Sequence, residues 1–324
     1  MLNQLKYNIL GNTELIVSEI GFGVCTISTN RWQDVTVQRS IALLEQAFEL
    51  GVNFYDTADI YGLGYGEEIV SNALKHKRHD IIIGTKAGFD IYKKQPHKVS
   101  RSYDLNFSPN YIRYACEQSL NRLETDYIDL YQIYTSPGNH MDYYELFYTL
   151  DSLVDEGKIR NYGLVLGKEF DSFQELATIT QNHQGFTMQI IHNLVEADHI
   201  NAIHDITQDA KISLITREPH VYGLLDGNYK RRLQHSTLDD IDPIDIDWLE
   251  SLRPKVAELI TLTSDIDATI AQIAIKYSLD SYRVSSVLPN ILSESNLYEF
   301  TNLTGADTAS DELMGSLSRF YISE

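Results

Sequence analysis

Short β-branched or aromatic runs alternate along this chain with longer stretches in which apolar residues recur every three or four positions. A period of two marks strands, and spacing at i, i+3 and i+4 marks helices with one buried face. The opening LKYNILGNTELIVS sets two apolar runs about Gly11 and Asn12, the pattern of a β-hairpin. Eight further strands are expected, near Ile20–Val24, Val52–Asp56, Ile81–Thr85, Tyr127–Ile133, Tyr162–Leu166, Thr187–Ile191, Ile212–Thr216 and Val284–Leu288. Helical stripes lie between them. Ile41, Leu44, Ala47 and Phe48 share one face, and Gly51 closes that helix. Ser108 and Pro109 read as the N-cap and first helical residue of a helix carrying Ala115, Leu120 and Leu123. Similar stripes occupy Tyr144–Val154, Asp247–Leu262 and Ala268–Leu279.

Strand–helix alternation repeated eight times predicts parallel strands with helical crossovers. The expected fold is α/β, a (β/α)8 TIM barrel with an N-terminal β-hairpin, formed as one domain over residues 1–324. A doubly wound open sheet would need a glycine-rich phosphate turn after an early strand. GFGVCT lacks the third glycine and opens no helix. In a barrel the chemistry sits at the C-terminal ends of the strands. The residues at those positions are Cys25, then Asp56 and Tyr61, then Lys86, then Tyr134. Gly167 and Lys168, Gln189 and His192, Arg217 and Glu218, and Pro289 and Asn290 follow in order.

Charge narrows the partners. Against 46 Asp and Glu stand 26 Lys and Arg, a formal net charge of −20 over 324 residues. A nucleic-acid partner requires a cationic face to displace counterions from phosphates, so none is expected, and neither is an anionic membrane surface. No apolar run reaches the roughly 18–20 residues that span a bilayer. The N-terminus lacks the basic-then-apolar order of a signal peptide, and the two cysteines, Cys25 and Cys116, form no CxxC pair. A cytoplasmic location and a small-molecule substrate are the expectation.

Asp56, Tyr61 and Lys86 form a plausible proton-transfer unit, because three neighbouring strand ends can bring them together. A phenol with a pKa of about 10 is a reluctant proton donor at neutral pH. An adjacent ammonium stabilises the phenolate and lowers that value, and a carboxylate keeps the ammonium charged and oriented. Singly, each has an ordinary structural reading: Asp56 as a turn cap, Tyr61 as a loop aromatic, Lys86 as a solvated strand end.

Four segments together, GVNFYDTADIYGLGYGEE, DIIIGTKAGF, SLNRLETDYIDLYQI and DEGKIRNYGL, resemble the aldo-keto reductase superfamily, over a span from Leu15 to about Pro289. The resemblance implies a (β/α)8 barrel that binds a nicotinamide dinucleotide, NADP or NAD, in extended form and reduces carbonyls with a tyrosine as general acid. Asp56, Tyr61 and Lys86 match three members of the family's Asp–Tyr–Lys–His tetrad. Tyr134 stands at the position of the histidine, within Tyr131-Gln132-Ile133-Tyr134-Thr135. A phenol can donate one hydrogen bond to a carbonyl oxygen but lacks the second nitrogen of imidazole.

Cofactor positions depart further. A Gly-Val-Ser-Asn run would be expected after the fifth strand, and this chain has Gly163-Leu164-Val165-Leu166-Gly167, with neither polar side chain. Gln189 matches the glutamine that binds the nicotinamide amide. Arg217 replaces the aromatic that stacks on the nicotinamide ring, and its guanidinium suits an anionic substrate or a carboxylate instead. Leu224, Pro289 and Ser293 complete the implied cofactor contacts, Ser293 also as the cap of the helix after the eighth strand. No Lys or Arg lies between Pro289 and Phe300 to clamp a 2′-phosphate, so the choice between NADP and NAD stays open. Cys25, Lys168, His192 and Glu218 are the substrate-contact candidates. His192, Glu196, Asp198, His199 and His204 resemble a metal cluster, but no HExxH or HxH pattern organises them, and no metal is assigned.

Three readings follow. In the first, an oxidoreductase, Tyr61 protonates a carbonyl or enone oxygen during hydride transfer from NAD(P)H. In the second, the same residues run an isomerase or lyase without redox chemistry. In the third, the barrel has lost cofactor binding and serves as a regulatory subunit. The retained Asp56, Tyr61 and Lys86 speak against the third, and the resemblance to a reductase family ranks the first ahead of the second.

Overall fold

The computed structural model describes residues 5–29, 35–93, 103–135, 141–167, 173–183, 185–195, 203, 205, 206, 211–235, 246–303 and 306. Strands β1 (Tyr7–Ile9) and β2 (Ile16–Ser18) pair antiparallel, as the alternation about Gly11 and Asn12 predicts. Gly11 has φ +61°, and a Cβ there would lie 2.9 Å from the Cβ of Ser213, so the turn admits glycine on both backbone and packing grounds.

Eight parallel strands follow in sequence order: β3 (Phe22–Gly23), β4 (Phe54–Asp56), β5 (Ile82–Ala87), β6 (Ile128–Tyr134), β7 (Ile159–Val165), β8 (Thr187–Ile191), β9 (Ser213–Arg217) and β10 (Val284–Leu288). The ring closes through a parallel bridge between Ile20 and Val287, with Gly21 N–H donating to Val287 O at 2.9 Å and Val287 N–H to Glu19 O at 2.8 Å. The expected strand Ile20–Val24 is therefore shared, its first residues pairing with β10 and Phe22–Gly23 with β4. The barrel matches the fold expected from the strand–helix alternation.

Helices cover the outside. Val37–Glu49, Pro109–Leu123, Tyr143–Asp155 and Ile270–Leu279 lie where the apolar stripes place them. Thr269 and Gln272 form a capping box on the last of these. Ser108 sits at the N-cap position with Pro109 at the first turn, but its hydroxyl is given to Asn106 Oδ1 at 2.8 Å rather than to the helix. The stripe Asp247–Leu262 is two helices, Ile246–Ser251 and Arg253–Leu262. Pro254 explains the break, because it lacks an N–H and fits only the first turn of a new helix. No described helix is long and apolar enough to cross a membrane.

Alternation along the strands separates two cores. Tyr131 and Ile133 of β6 face the helices, whereas Leu130 joins Phe54, Ile82, Ile215 and Leu288 inside the barrel. The hairpin completes this interior: Leu10, Leu15 and Val17 pack onto those same five residues and plug the N-terminal end. Asn8 Nδ2 donates to Ser285 O at 3.0 Å, and Ser285 Oγ donates to Ile9 O at 2.9 Å, fixing the plug to β10. One end is sealed, and the strand C-termini remain as the mouth.

The plug makes a stability prediction. Leu10→Ala is expected to lower the unfolding free energy by about 2–5 kcal/mol in urea titration, the range for truncating a buried leucine. Ile9→Ala, on the 62% exposed side chain of the same strand, is expected to stay within about 0.5 kcal/mol of wild type. Equal effects would remove the hairpin from the barrel core.

Candidate active site

The site is built from charge outward. Lys86 lies near the end of β5 with no solvent exposure, beside Asp56 at the end of β4, which is 2% exposed. Its ammonium contacts Asp56 Oδ1 and donates to Thr57 O at 2.6 Å. The other carboxylate oxygen, Asp56 Oδ2, accepts from Gln132 Nε2 at 2.9 Å and from Gln189 Nε2 at 3.0 Å. Gly84 makes room for this arrangement, since a Cβ there would lie 3.3 Å from Asp56 Oδ2 and 3.4 Å from Gln132 Nε2. Burial pulls the Lys86 ammonium below its ordinary pKa, the Asp56 carboxylate opposes that, and the Arg217 charge adds to the lowering.

Tyr61 reaches over this pair from the turn after β4. Lys86 Nζ is 5.1 Å from the centroid of its ring, and Tyr134 Oη is 3.5 Å from Tyr61 Oη, the outer limit of a hydrogen bond. Tyr134 ends β6 facing inward, packed at 4.9 Å on the Phe89 ring. The Tyr61 phenol is held well above its ordinary pKa, first by burial and then by the neighbouring Tyr134, Cys25 and Asp56. The sequence argument expected Lys86 to depress that value. In the structure the ammonium is taken up by Asp56 and Thr57 and lies against the ring, so burial wins and the phenol stays protonated.

A second layer supports the first. Asp59 donates its backbone N–H to Lys86 O at 3.0 Å. Glu67 accepts from Thr85 Oγ1 and from Arg122 Nε, both at 2.6 Å. The Asp59 carboxyl is fully buried, and burial followed by the nearby Glu67 charge pushes its pKa well above the usual carboxylate range.

Above Tyr61 opens a cavity with an empty volume of about 690 Å³, solvent at its mouth included. Cys25, Asp56, Tyr61, Tyr134, Gln189, Arg217, Glu218 and Pro289 all line it, as expected for residues at the strand ends. Lys86 lies immediately behind Asp56. Three further expected contacts are not among the residues that line it. Leu224 packs into the apolar cluster around Leu249 and Tyr277. Ser293 caps the helix Glu294–Phe300, accepting from Asn296 N–H at 3.2 Å. His192 is turned outward by the alternation that turns Gln189 inward. Its Nε2 lies 2.8 Å from Ser281 Oγ, its ring packs on Tyr277, and burial pushes its pKa down to about 4. Lys168, Glu196, Asp198, His199 and His204 lie outside the described residues.

Sequence reasoning missed Gln132, Tyr222 and Arg232. Gln132 was findable, because it is two residues before Tyr134 on the inward face of β6. Tyr222 and Arg232 reach the cavity from the turn after β9 and the helix Tyr229–His235, and both are 3% exposed. No local pattern marks them.

Comparison with known proteins gives a consistent result. The pattern described as the Aldo/keto reductase family matches residues 19–320. An uncharacterized oxidoreductase of Bacillus subtilis, YqkF, is 40% identical over 48% of this chain and 47% of its own length, so that match spans about half of the relative. Aldo-keto reductase YhdN of the same organism is 26% identical over 93% of this chain and 89% of its own. Among solved structures, aldo-keto reductase AKR11C1 from Bacillus halodurans in its holo form superposes with a TM-score of 0.76 at 24% identity, covering 97% of this chain and 96% of that one. This last likeness concerns the fold.

His192 supplies a pH prediction. Its folded pKa of about 4 lies below the ordinary histidine value, so between those values the unfolded chain binds a proton that the folded protein excludes. Stability from this group is complete above the ordinary value and falls as the pH drops toward the folded one. Between pH 7 and pH 5 this one residue is expected to remove about 2 kcal/mol, and His192→Gln to flatten the loss by that amount in paired urea titrations. Parallel pH profiles would contradict the buried neutral imidazole.

Proposed function

The chain belongs to the aldo/keto reductase family, and from that membership we propose that it is an NAD(P)H-dependent carbonyl reductase with Tyr61 as the general acid. What carries the reading is the buried Lys86–Asp56 pair beneath a protonated Tyr61 phenol that opens into the cavity.

The cavity wall offers a dinucleotide part of what it needs. Gln189, Arg217 and Pro289, three of the positions expected to meet one, line the same space as Tyr61. The polar pair expected after the fifth barrel strand is absent, with Val165 and Leu166 in its place, and residues 289–300 hold no cation for a 2′-phosphate. The fit supports the nicotinamide end, where Gln189 and Pro289 would hold it, and favours neither NADPH nor NADH. Bound there, the dinucleotide supplies the hydride.

The protein's own residues manage the proton. Tyr61 Oη gives it to the substrate oxygen, and Tyr134 Oη donates a second hydrogen bond to that oxygen. As the proton leaves Tyr61, the Lys86 ammonium stabilises the phenolate left behind. Asp56, fixed by Gln132 and Gln189, keeps Lys86 charged and in place. Hydride addition and protonation together convert the carbonyl to an alcohol.

One observation favours a second reading, a proton-transfer enzyme without redox chemistry. Gln189 gives its Nε2 to Asp56, and Arg217 stands where a stacking aromatic is expected. Titration with NADPH and NADH, followed by cofactor fluorescence and by melting temperature, separates the two. A cofactor at about 100 times its Kd adds about 2.7 kcal/mol to stability, so both signals move together if it binds. No response to either at millimolar concentration overturns the reductase reading. If one binds, Tyr61→Phe is expected to lower kcat by about 10²–10⁴-fold while leaving the cofactor Kd unchanged. Full activity in that variant would remove Tyr61 from the proton step.

A further inference from the structure

The hydrogen bonds around Asp56 decide which end of an amide faces the cavity. Asp56 Oδ2 accepts from Gln132 Nε2 at 2.9 Å and from Gln189 Nε2 at 3.0 Å, while Oδ1 meets the Lys86 ammonium. A carboxylate paired with an ammonium only accepts, so both glutamines must turn their nitrogens toward it. Gln132 Oε1 then takes the second hydrogen of Gln189 Nε2, at 3.4 Å. Turning Gln189 over would set its oxygen against Asp56 Oδ2 and Gln132 Oε1, three acceptors with no proton between them. Lys86, Asp56 and Gln132 are buried, so water does not relieve that repulsion. Both hydrogens of Gln189 Nε2 are thus committed behind the wall, although Gln189 itself lines the cavity. Its Oε1 has no hydrogen-bond partner among the described residues and is not one of their fully buried unpaired atoms. This oxygen is what the side chain shows to a ligand.

We propose that Asp56 sets the polarity of this wall: by holding Gln189 with its carbonyl outward, it selects ligands that bring an N–H or O–H there and rejects groups that only accept. Asp56 is then a positioning residue for ligand choice, acting through Gln189, besides holding Lys86. A ligand carbonyl placed against Gln189 Oε1 would leave two oxygens facing each other in a site with little water. That costs more than the loss of one hydrogen bond. With a dinucleotide bound as proposed above, the selected group is the carboxamide NH2. Val165 and Leu166 stand where a polar pair is expected, so neither side chain offers the carboxamide another contact. The polarity rests on the hydrogen-bond geometry, and only the choice of a dinucleotide as probe rests on the reductase reading.

The acetylpyridine analogue of the cofactor tests this on the full chain. A methyl group replaces the carboxamide NH2, so the analogue keeps the shape and the carbonyl and loses the donors. Wild type is expected to bind the parent cofactor about ten-fold or more tighter than the analogue, by competition against cofactor fluorescence and by melting temperature. In Asp56→Asn the side chain must still offer its oxygen to Lys86, so its Nδ2 faces the glutamines and both turn over to accept from it. Gln189 Nε2 then faces the cavity. The margin is expected to fall below about three-fold, with the analogue bound about three-fold or more tighter than by wild type. General damage to the site weakens both ligands and cannot produce that gain. Equal affinity of wild type for the two overturns the proposal, and so does an Asp56→Asn variant that keeps the wild-type margin. Should that variant not fold, Gln189→Met decides: a margin below about three-fold is expected, and an unchanged one overturns the proposal. If neither dinucleotide binds wild type, nicotinamide and acetylpyridine themselves replace them, at on the order of tens of millimolar. A rise in melting temperature with nicotinamide alone supports the acceptor wall while the reductase reading fails. Comparable rises with both, or none with either, overturn the wall as well.

Discussion

An ammonium with no water around it is stable only where fixed charges and dipoles replace its lost hydration. Lys86 is such a group, and meeting its needs organises the centre of this barrel. Asp56 supplies the opposite charge and Thr57 O a second acceptor. Asp56 in turn has a second oxygen to satisfy, and two glutamines from different strands do so. The residue at position 84 must then be small, and glycine is found there. One buried charge thus fixes the side chains of four strands, β4, β5, β6 and β8, in a single hydrogen-bonded group. Removing one partner would strand the others, which is why such groups act as units rather than as sums of pairs.

The layer behind it follows the same logic with a different result. Asp59 and Glu67 both lie near one guanidinium, that of Arg122. Glu67 takes the direct contact, with Thr85 as a further donor. Burial and the Glu67 charge push the Asp59 carboxyl well above the usual carboxylate range, which opposes a build-up of negative charge around Lys86. The turn that carries Asp59 also carries Tyr61, and the bond from Asp59 N–H to Lys86 O ties that turn to β5.

Much of this was legible in the residues alone. The strand–helix alternation specified the barrel, and the apolar runs about Gly11 specified the hairpin. Asp56, Tyr61, Lys86 and Tyr134 were found because each sits within a few residues of a strand end, where sequence position and spatial position coincide. His192 sits at such an end as well, but one step out of phase with Gln189, and the phase decides which side of the wall it faces. Leu224 was carried over by resemblance, and packing assigned it to an apolar cluster, whereas Ser293 caps the helix it was expected to cap. Arg232 and Tyr222 were not legible, because a tight turn delivers them. Glu218, Val221 and Tyr222 all take positive φ, at 55°, 51° and 53°, a conformation that non-glycine residues adopt only under tertiary constraint.

The protonated state of Tyr61 also bears on the direction in which such a site can run. A phenol held well above its ordinary pKa by burial keeps its proton throughout the neutral range and gives it up only to a strongly basic oxygen, such as the alkoxide that forms as hydride is added. Oxidising an alcohol at the same site would require the reverse, a phenolate ready to accept. Burial makes that form scarce, so the environment that keeps the donor charged with its proton leaves almost no acceptor for the return path. In the proposed reaction with Tyr61 as the acid, alkaline solution raises the phenolate fraction that the return direction needs, while the forward direction keeps its donor until the phenol itself begins to titrate.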